Sequence, residues 1–180
     1  MNAEEILFYL EKLSDVLAKH DTRGEIVLYG GAVMVIAFHA RPATKDVDAV
    51  FVPKEQIYLA AREVEELYGA PEHWLNDAVK GFISPREELV PFINWPNLKV
   101  YAASPHYLLA MKCMSMRLGR GESDLKDIRF LIEHLNIKTR EDVLDLLVKY
   151  YPKKLISPKV QFAMEELFEQ MAVNQEGNIP

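Results

Sequence analysis

The 180-residue chain lacks the features typical of secreted and membrane proteins. It has a single cysteine, Cys113, so no internal disulfide can form, and the helix-like apolar run around it favours a buried thiol in a reducing compartment. No apolar run approaches the roughly 18 residues that a membrane span requires. The N-terminal stretch MNAEEILFYL has two glutamates and no basic segment, unlike a signal peptide. We therefore expect a cytoplasmic protein with no membrane partner.

Two common kinds of functional motif are also missing. The chain has no G-x-x-x-x-G-K-[ST] loop, so it is not a P-loop protein. Its histidines show no spacing typical of zinc ligands. The net charge of -6 argues against a dedicated nucleic-acid coat protein, because such proteins neutralise phosphates with lysine and arginine.

The negative charge is unevenly distributed. Residues 1–100 contain 10 Lys and Arg against 16 Asp and Glu, whereas residues 101–180 contain 11 of each. The second part includes a basic run, made of Lys149, Lys153, Lys154 and Lys159. This run has two interpretations, a solvated face or a surface that attracts a phosphate-bearing partner.

The composition is that of an ordinary globular protein, 49% hydrophobic and 27% charged. In the first hundred residues, helical and strand patterns alternate. Asn2 and Glu5 form a capping-box pattern before a helix that extends to about Lys19. EIVLYGG and DVDAVFVP read as strands on either side of the short helix AVMVIAFHA, and Gly69 ends a longer amphipathic helix. HWLND and LKVYAA read as further short strands.

From Ser104 the pattern becomes helical. PHYLLAMKCMSMRL follows Ser104, and we expect Ser123 to cap the next helix. Thr139 with Asp142 opens a third helix, and Ser157 precedes a fourth. The sequence thus predicts an α/β core over residues 1–103, a helical subdomain over 104–172 that completes the site, and a flexible tail over 173–180.

Two aspartates, Asp46 and Asp48, lie in a strand that otherwise reads as core. Because side chains alternate along a strand, both carboxylates point the same way, while Val47 and Ala49 point into the core. Two neighbouring carboxylates repel each other unless a cation lies between them. Mg²⁺, or Mn²⁺, prefers hard oxygen ligands of this kind, so Asp46 and Asp48 are candidate metal ligands. The alternative is an edge strand with a solvated acidic face.

A glycine pair, Gly30-Gly31, separates the preceding strand from the short helix. Glycine lets a backbone approach a phosphate closely, and a helix N-terminus favours anions. The alternative is a tight strand-to-helix turn with no ligand. A glycine turn followed some 15 residues later by a carboxylate-bearing strand is more specific than either feature, because adjacent strands bring both to one rim.

The segment LYGGAVMVIAFHARPATKDVDAVF resembles the nucleotidyltransferase signature of the DNA polymerase β-like superfamily, a glycine pair, a helix and then D-x-D on the next strand. Within that superfamily the chain resembles the AbiEii/AbiGii toxin-like proteins and the DUF6036 nucleotidyltransferase group, over residues from about 25 to 135. The resemblance implies an α/β (α+β) nucleotidyltransferase fold, with a short mixed sheet flanked by helices and a C-terminal helical subdomain. The active site is expected between the two parts.

The resemblance also implies roles for charged residues in the helical half. Lys112, and with it Arg117, would neutralise the triphosphate of a bound nucleotide, and an aspartate would orient the lysine. Asp124 and Asp127 lie at i and i+3 of one helix and share a face. Asp127 is the stronger catalytic candidate. For both aspartates the alternative is an acid favoured by the helix dipole, and for Lys112 it is a lysine whose stem covers apolar surface.

The pattern departs from the superfamily at one point. Many members have a third carboxylate on a later strand, and NLKVYAA has none. Asp77 is a possible substitute, with Asn76 beside it, although a residue that ends a strand is the simpler interpretation.

The expected function is metal-dependent transfer of an NMP from an NTP to a hydroxyl. The resemblance implies that the acceptor is RNA, such as a tRNA 3′ end, or a protein. It also implies the biology of a toxin–antitoxin or phage-defence pair, with a separately encoded antitoxin as partner. The alternative is a catalytically degenerate binding or regulatory protein of the same fold, which the missing third carboxylate favours.

Overall fold

The computed structural model describes residues 1–116 and 122–176 of the chain, which divide into two units. Unit 1 consists of Met1–Gly81 and Glu88–Ser104. Unit 2 consists of Phe82–Glu87 and the described residues from Pro105 onward.

Unit 1 contains the sheet and the first three helices. In chain order its elements are α1 (Ala3–Lys19), β1 (Gly24–Leu28), α2 (Gly30–Ile36), β2 (Val47–Val52), α3 (Lys54–Tyr68), β3 (Leu75–Asn76), β4 (Leu89–Asn94) and β5 (Leu98–Ala103). A short 3₁₀ helix, Ala78–Phe82, lies between β3 and β4.

The five strands form one mixed sheet in the order β3-β2-β1-β5-β4. The central strand β1 pairs antiparallel with β2 and parallel with β5, while β3 pairs parallel with β2 and β4 antiparallel with β5. In the β1–β2 pair, Leu28 lies opposite Ala49, which places the C-terminal end of β1 beside the N-terminal half of β2. The predicted α/β (α+β) fold with a short mixed sheet is confirmed.

One face of each central strand is buried. Alternate residues point into the core, namely Ile26 and Leu28 of β1, Val47, Ala49 and Phe51 of β2, and Leu98, Val100 and Ala102 of β5. The helices α1 and α3 pack against each other, and both contact strands of the sheet. The space beside β1 is so tight that a Cβ on Gly24 would lie 2.9 Å from the Ile57 side chain. Close packing of this kind fixes the register of the strands.

The helix ends follow the sequence signals. Asn2 accepts a hydrogen bond from the Glu5 amide, and the Glu5 carboxylate accepts one from the Asn2 amide, so the predicted capping box is confirmed. At the end of α3, Gly69 has a φ of +72° and its N–H donates to the carbonyl of Glu65 at 3.1 Å.

Several predicted boundaries differ from the structure, among them the end of the helix PHYLLAMKCMSMRL, which lies at Ser115. The strand β2 begins at Val47, so Asp46 directly precedes the strand instead of lying in it. The helix α2 ends at Ile36, earlier than its apolar sequence suggested. The helix that the sequence placed after Ser123 begins at Glu122, so Ser123 lies inside the helix and not before it.

The strand β4 was not predicted from the sequence because Pro91 interrupts its apolar pattern. Proline cannot donate a ladder hydrogen bond, so a strand that contains it must lie at an edge or carry a bulge. β4 meets both conditions, since it is the edge strand next to β5 and its register shifts between Pro91 and Ile93.

Unit 2 contains four described helices, α4 (Pro105–Ser115), α5 (Glu122–His134), α6 (Arg140–Tyr150) and α7 (Pro158–Glu176). The helix α4 packs against α5 and α6, and α6 packs against α7. Thr139 and Asp142 form the predicted capping box of α6. Cys113 is fully buried, and burial raises the pKa of its thiol to about 12, so it is a core residue. None of the helices described here is both long enough and apolar enough to cross a bilayer.

Substitutions at Gly69 and Gly81 test the importance of the left-handed backbone that ends α3. In both Gly69 and Gly81 an added Cβ would meet open space, but only Gly69 has a positive φ. We expect Gly69→Ala to lower the free energy of unfolding by about 1 kcal/mol, because an L-residue is strained in this region. Gly81→Ala should change it by less than about 0.5 kcal/mol. Urea denaturation measures the free energy of unfolding of both variants. Equal losses would contradict a special role for the left-handed backbone at Gly69.

Candidate functional site: the glycine–aspartate rim

The ends of two neighbouring strands bring Gly30 and Asp48 into direct contact. Gly30 follows β1 and has a φ of +58°. A Cβ added to it would lie 2.7 Å from Oδ2 of Asp48. Glycine is therefore required at this position for two independent reasons, the left-handed backbone and the close approach of the carboxylate. We call the set Gly30, Gly31, Asp46 and Asp48 the glycine–aspartate rim.

The second glycine of the pair contacts the loop that connects α2 to β2. A Cβ on Gly31 would overlap Oγ1 of Thr44 and would lie 2.7 Å from Nη1 of Arg41. The backbone at Gly31 thus lies against a hydroxyl and a guanidinium. Both groups are common phosphate ligands, and a guanidinium can bind two phosphate oxygens at once.

The first aspartate is oriented by the neighbouring edge strand. The amide nitrogen Nδ2 of Asn76 donates to Oδ2 of Asp46 at 3.1 Å, and the other end of the Asn76 side chain accepts from the Ala78 amide at 3.0 Å. The pairing of β2 with β3 makes this contact possible, because Asp48 lies opposite Asn76. Asp46 and Asp48 are each half-buried, whereas Val47 between them is fully buried.

Asp77, the possible third carboxylate, contacts a different set of residues. Its carboxylate accepts from the Tyr58 hydroxyl at 2.7 Å and forms ion pairs with Lys54 at 2.7 Å and Lys80 at 2.5 Å. Hydrogen bonds from Lys54, Lys80 and Tyr58 hold the pKa of Asp77 well below its usual range. These contacts are sufficient to explain Asp77 as a structural residue that joins α3 to the end of β3, and its catalytic role stays a prediction.

The donor set of the rim fits one hard divalent cation. Asp46 and Asp48 supply two carboxylates, which suits Mg²⁺ because it is usually held by one or two carboxylates plus substrate phosphates and water. Within residues 1–116 and 122–176, no group of three or more His, Cys, Asp or Glu side chains is arranged to hold a metal. An ion held by these two carboxylates would need phosphate or water oxygens to complete its coordination.

In unit 2, Lys112 forms a buried ion pair. Nζ of Lys112 lies 2.6 Å from Oδ2 of Asp127 and 3.5 Å from Oδ1 of Asp124. The side chains of Lys112 and Asp127 are only 8% and 4% exposed, against 35% for Asp124. The spacing of the two aspartates by three residues places both beside the lysine, as their sequence positions suggested.

This geometry matches the expectation that an aspartate orients Lys112, with Asp127 as the closer partner. Whether Lys112 neutralises a triphosphate stays a prediction. Arg117, the other predicted nucleotide-binding residue of this half, lies outside the described residues.

Three residues of the site were missed by the sequence reasoning. Arg41 and Thr44 lie in RPATK, which was interpreted only as a break after the helix, and Asn76 was noted only as a neighbour of Asp77. The available signal was their place in the chain: these residues lie in, or next to, short segments that connect the glycine pair to the strands of the sheet. Only the folded chain shows that these connections return to Gly31 and Asp46.

The mixed sheet flanked by helices is that of a nucleotidyltransferase-like fold. A family model described as "Nucleotidyltransferase of unknown function (DUF6036)" matches residues 5–150, and the chain belongs to this family. Searches of the curated proteins and of the solved structures found no match. The resemblance to the AbiEii/AbiGii toxin-like proteins is not tested by these comparisons and stays a prediction.

The buried Lys112–Asp127 ion pair leads to a prediction about the free energy of unfolding. Lys112→Met should lower the free energy of unfolding by about 3 kcal/mol, because it leaves the buried Asp127 carboxylate without its cation. The double variant Lys112→Met/Asp127→Leu should recover much of this loss, since no buried charge is left.

Lys12→Met is the matched control. Lys12 pairs with Asp15 at 2.8 Å on the surface of α1, where the side chains are 24% and 52% exposed. This variant should lower the free energy of unfolding by less than about 1 kcal/mol. If urea denaturation shows the same loss for both lysines, burial of the Lys112 pair does not govern its contribution.

Proposed function

We propose that this protein is a metal-dependent nucleotidyltransferase that moves an NMP from an NTP to a hydroxyl group. The observation that carries the proposal is the contact between the Gly30 backbone and the Asp48 carboxylate. It combines a backbone that only glycine can adopt with a ligand suited to a divalent cation. Membership of a family described as nucleotidyltransferases supports the same assignment.

The glycine pair would bind the triphosphate. Because Gly30 and Gly31 have no Cβ, the Asp48, Thr44 and Arg41 side chains lie close to the backbone, and a phosphate bound to the backbone N–H groups would be within reach of the same side chains. The guanidinium of Arg41 and the hydroxyl of Thr44, both against Gly31, supply charge and hydrogen bonds to the same phosphates. These groups position the nucleotide, which is where most of the catalysis of phosphoryl transfer originates.

Asp46 and Asp48 would hold Mg²⁺ or Mn²⁺. The bound ion would neutralise charge on the phosphate oxygens and orient them. Asn76 fixes the carboxylate of Asp46 through its amide, so the ligand does not have to be ordered when the nucleotide arrives.

In the proposed reaction the acceptor hydroxyl oxygen forms a bond to the α-phosphorus of the NTP. The bond between that phosphorus and the oxygen that leads to the β-phosphate breaks, and pyrophosphate leaves. The hydroxyl proton passes to the carboxylate of Asp46 or Asp48, which lie beside the bound triphosphate. The products are an NMP ester of the acceptor and pyrophosphate.

A catalytically degenerate protein that binds nucleotide without transfer is the second candidate. It is favoured by the observation that, in the part of the chain that the structure describes, no third carboxylate joins Asp46 and Asp48 as a metal-binding group. This candidate is the binding or regulatory protein of the same fold, which differs from the transferase in having no turnover.

Substitution of the rim aspartates tests the proposal. We expect calorimetric titration with each NTP and Mg²⁺ to show binding by the wild type that Asp46→Asn and Asp48→Asn weaken at least about tenfold, or about 1.4 kcal/mol. Transfer of labelled NMP should fall by a factor of roughly 100 or more in both variants. Asp15→Asn, an exposed carboxylate on α1, is the control and should retain both properties.

The outcomes separate the candidates. Metal-dependent NTP binding with no transfer to any hydroxyl acceptor, RNA or protein, would favour the degenerate protein. A well-folded wild type that binds no NTP would contradict the transferase and favour a degenerate binding or regulatory protein.

The AbiEii/AbiGii resemblance extends the proposal to the biology of a toxin with a cognate antitoxin. Induced expression in a bacterial host should then arrest growth, and Asp48→Asn should relieve the arrest at equal protein level. Undiminished growth with the wild type would contradict the toxin role and leave the chemistry unaffected.

A further inference from the structure

A group of charged side chains in unit 1 begins one residue after Asn76, and the proposed transfer reaction does not use it. Oδ1 of Asp77 accepts a hydrogen bond from the Tyr58 hydroxyl at 2.7 Å. Oδ2 of Asp77 lies 2.7 Å from Nζ of Lys54 and 2.5 Å from Nζ of Lys80. Lys54 and Tyr58 belong to α3, whereas Lys80 belongs to the 3₁₀ helix after β3. We call Asp77 and these three partners the Asp77 cluster.

The strand β3 is too short to fix Asn76 by itself. It consists of Leu75 and Asn76, which pair with Val47 and Asp48 of β2. The ladder ends at Asn76, so the backbone after this residue is held by other contacts. Short elements with few ladder hydrogen bonds open easily, because little free energy opposes their local unfolding. The orientation of the Asn76 side chain therefore needs support from outside β3.

Both ends of the Asn76 side chain have partners that fix its orientation. Nδ2 donates to Oδ2 of Asp46 at 3.1 Å, and Oδ1 accepts from the backbone N–H of Ala78 at 3.0 Å. An ionised carboxylate can only accept and a backbone N–H can only donate, so a flip of the amide would lose both hydrogen bonds. The contact of Asn76 with Asp46 therefore depends on where the backbone places Ala78.

Asp77 lies between Asn76 and Ala78 and attaches this piece of backbone to α3. The attachment is firm because the Tyr58 ring packs edge-on against Phe51 of β2, with ring centroids 4.9 Å apart. Phe51 is buried, so the hydroxyl group that binds Asp77 is itself anchored in the core of unit 1. A continuous series of contacts thus leads from the buried face of β2 to the carboxylate of Asp46, which directly precedes the same strand.

The charges of the Asp77 cluster favour a structural contact over direct metal binding by Asp77. Two ammonium groups share one oxygen of the carboxylate, whose side chain is only 21% exposed. Hydrogen bonds from Lys54, Lys80 and Tyr58 hold the pKa of Asp77 well below its usual range, so the group is ionised at neutral pH. A divalent cation would have to displace both lysines from this oxygen, against the repulsion between like charges.

We propose that Asp77 is a positioning residue for the glycine–aspartate rim: it fixes the backbone after β3 and so holds Asn76 where the Asn76 amide binds Asp46. This inference rests on contacts within unit 1 alone. Its consequence, tighter binding of a divalent cation by Asp46 and Asp48, rests on the proposed function, because partners of metal ligands raise metal affinity by orienting those ligands.

Nuclear magnetic resonance of the ¹⁵N-labelled protein tests the positioning without any ligand. The side-chain amide of Asn76 is assigned by its absence in Asn76→Ala. In Asp77→Ala, we expect the proton that Asn76 donates to Asp46 to exchange with water at least about fivefold faster than in the wild type, which corresponds to the loss of one hydrogen bond. Unchanged exchange in a folded Asp77→Ala protein would overturn the proposal.

A milder variant, Asp77→Asn, serves if circular dichroism shows that Asp77→Ala does not fold. It keeps the size of the side chain and can still accept from the Tyr58 hydroxyl, but it loses the charge that binds Lys54 and Lys80. The exchange of the Asn76 proton should be faster than in the wild type and slower than in Asp77→Ala. The wild-type exchange rate in Asp77→Asn would count against the proposal.

The matched control is Glu25→Gln. Glu25 is also a carboxylate paired with a lysine, Lys99 at 3.3 Å, and it pairs with the end of β2 that is distant from Asp46. The variant removes the same charge from the same sheet and should leave the exchange of the Asn76 proton within about twofold of the wild type. Equal acceleration in Glu25→Gln and Asp77→Ala would overturn the proposal, because a general loss of charge would then explain it.

A double-mutant cycle measures whether Asp77 acts through Asn76. Binding of Mn²⁺ alone, followed by the electron paramagnetic resonance signal of the free ion, should weaken about tenfold in Asn76→Ala and at least about threefold in Asp77→Ala. The double variant Asn76→Ala/Asp77→Ala should bind Mn²⁺ within about twofold of Asn76→Ala, because the link from Asp77 to Asp46 is already removed. Additive losses would mean that Asp77 acts independently of Asn76, as a metal ligand would, and would overturn the proposal.

The two readouts separate this proposal from the proposed function. Faster exchange of the Asn76 proton in Asp77→Ala, with a wild type that binds neither Mn²⁺ nor NTP, would support the positioning and overturn the transferase. Binding of Mn²⁺ and NTP by the wild type, with unchanged exchange in Asp77→Ala, would overturn the positioning alone. Faster exchange together with a non-additive loss of Mn²⁺ affinity would support both.

Discussion

The contact between Gly30 and Asp48 is the constraint on which the arrangement of unit 1 depends. It requires β1 to end beside the first residues of β2, and it requires a backbone with positive φ where no side chain can fit. The pairing of β1 with β2 and the burial of Val47 and Ala49 supply this geometry. Packing free energy from the core face of the sheet thus holds two carboxylates at its rim, where isolated strands would let them separate.

In unit 2 the main electrostatic constraint is the burial of two opposite charges. Lys112 and Asp127 are both almost fully buried, and each is tolerated because the other lies within 2.6 Å. This mutual compensation joins α4 to α5 inside unit 2.

Residue patterns predicted much of this protein, and their failures have physical causes. The capping boxes at Asn2 and Thr139 and the glycine cap at Gly69 were predictable, because each depends on groups within a few residues of one another. The strand β4 was missed because Pro91 is acceptable only at a sheet edge, and edge position is not a local property. The contacts of Arg41 and Thr44 with Gly31 were missed for the same reason.

By itself, the sequence determined the residue types of the site, the spacing of the glycine pair from Asp46 and Asp48, and the family to which the chain belongs. These follow from local periodicity and from side-chain chemistry. Tertiary structure alone decided that Asn76 holds Asp46, that Asp77 is paired with Lys54, and that Arg86 donates to the backbone carbonyl of Lys149, 63 positions away. Each of these contacts joins segments distant in sequence, and their meeting is set by strand pairing and core packing, which no local pattern encodes.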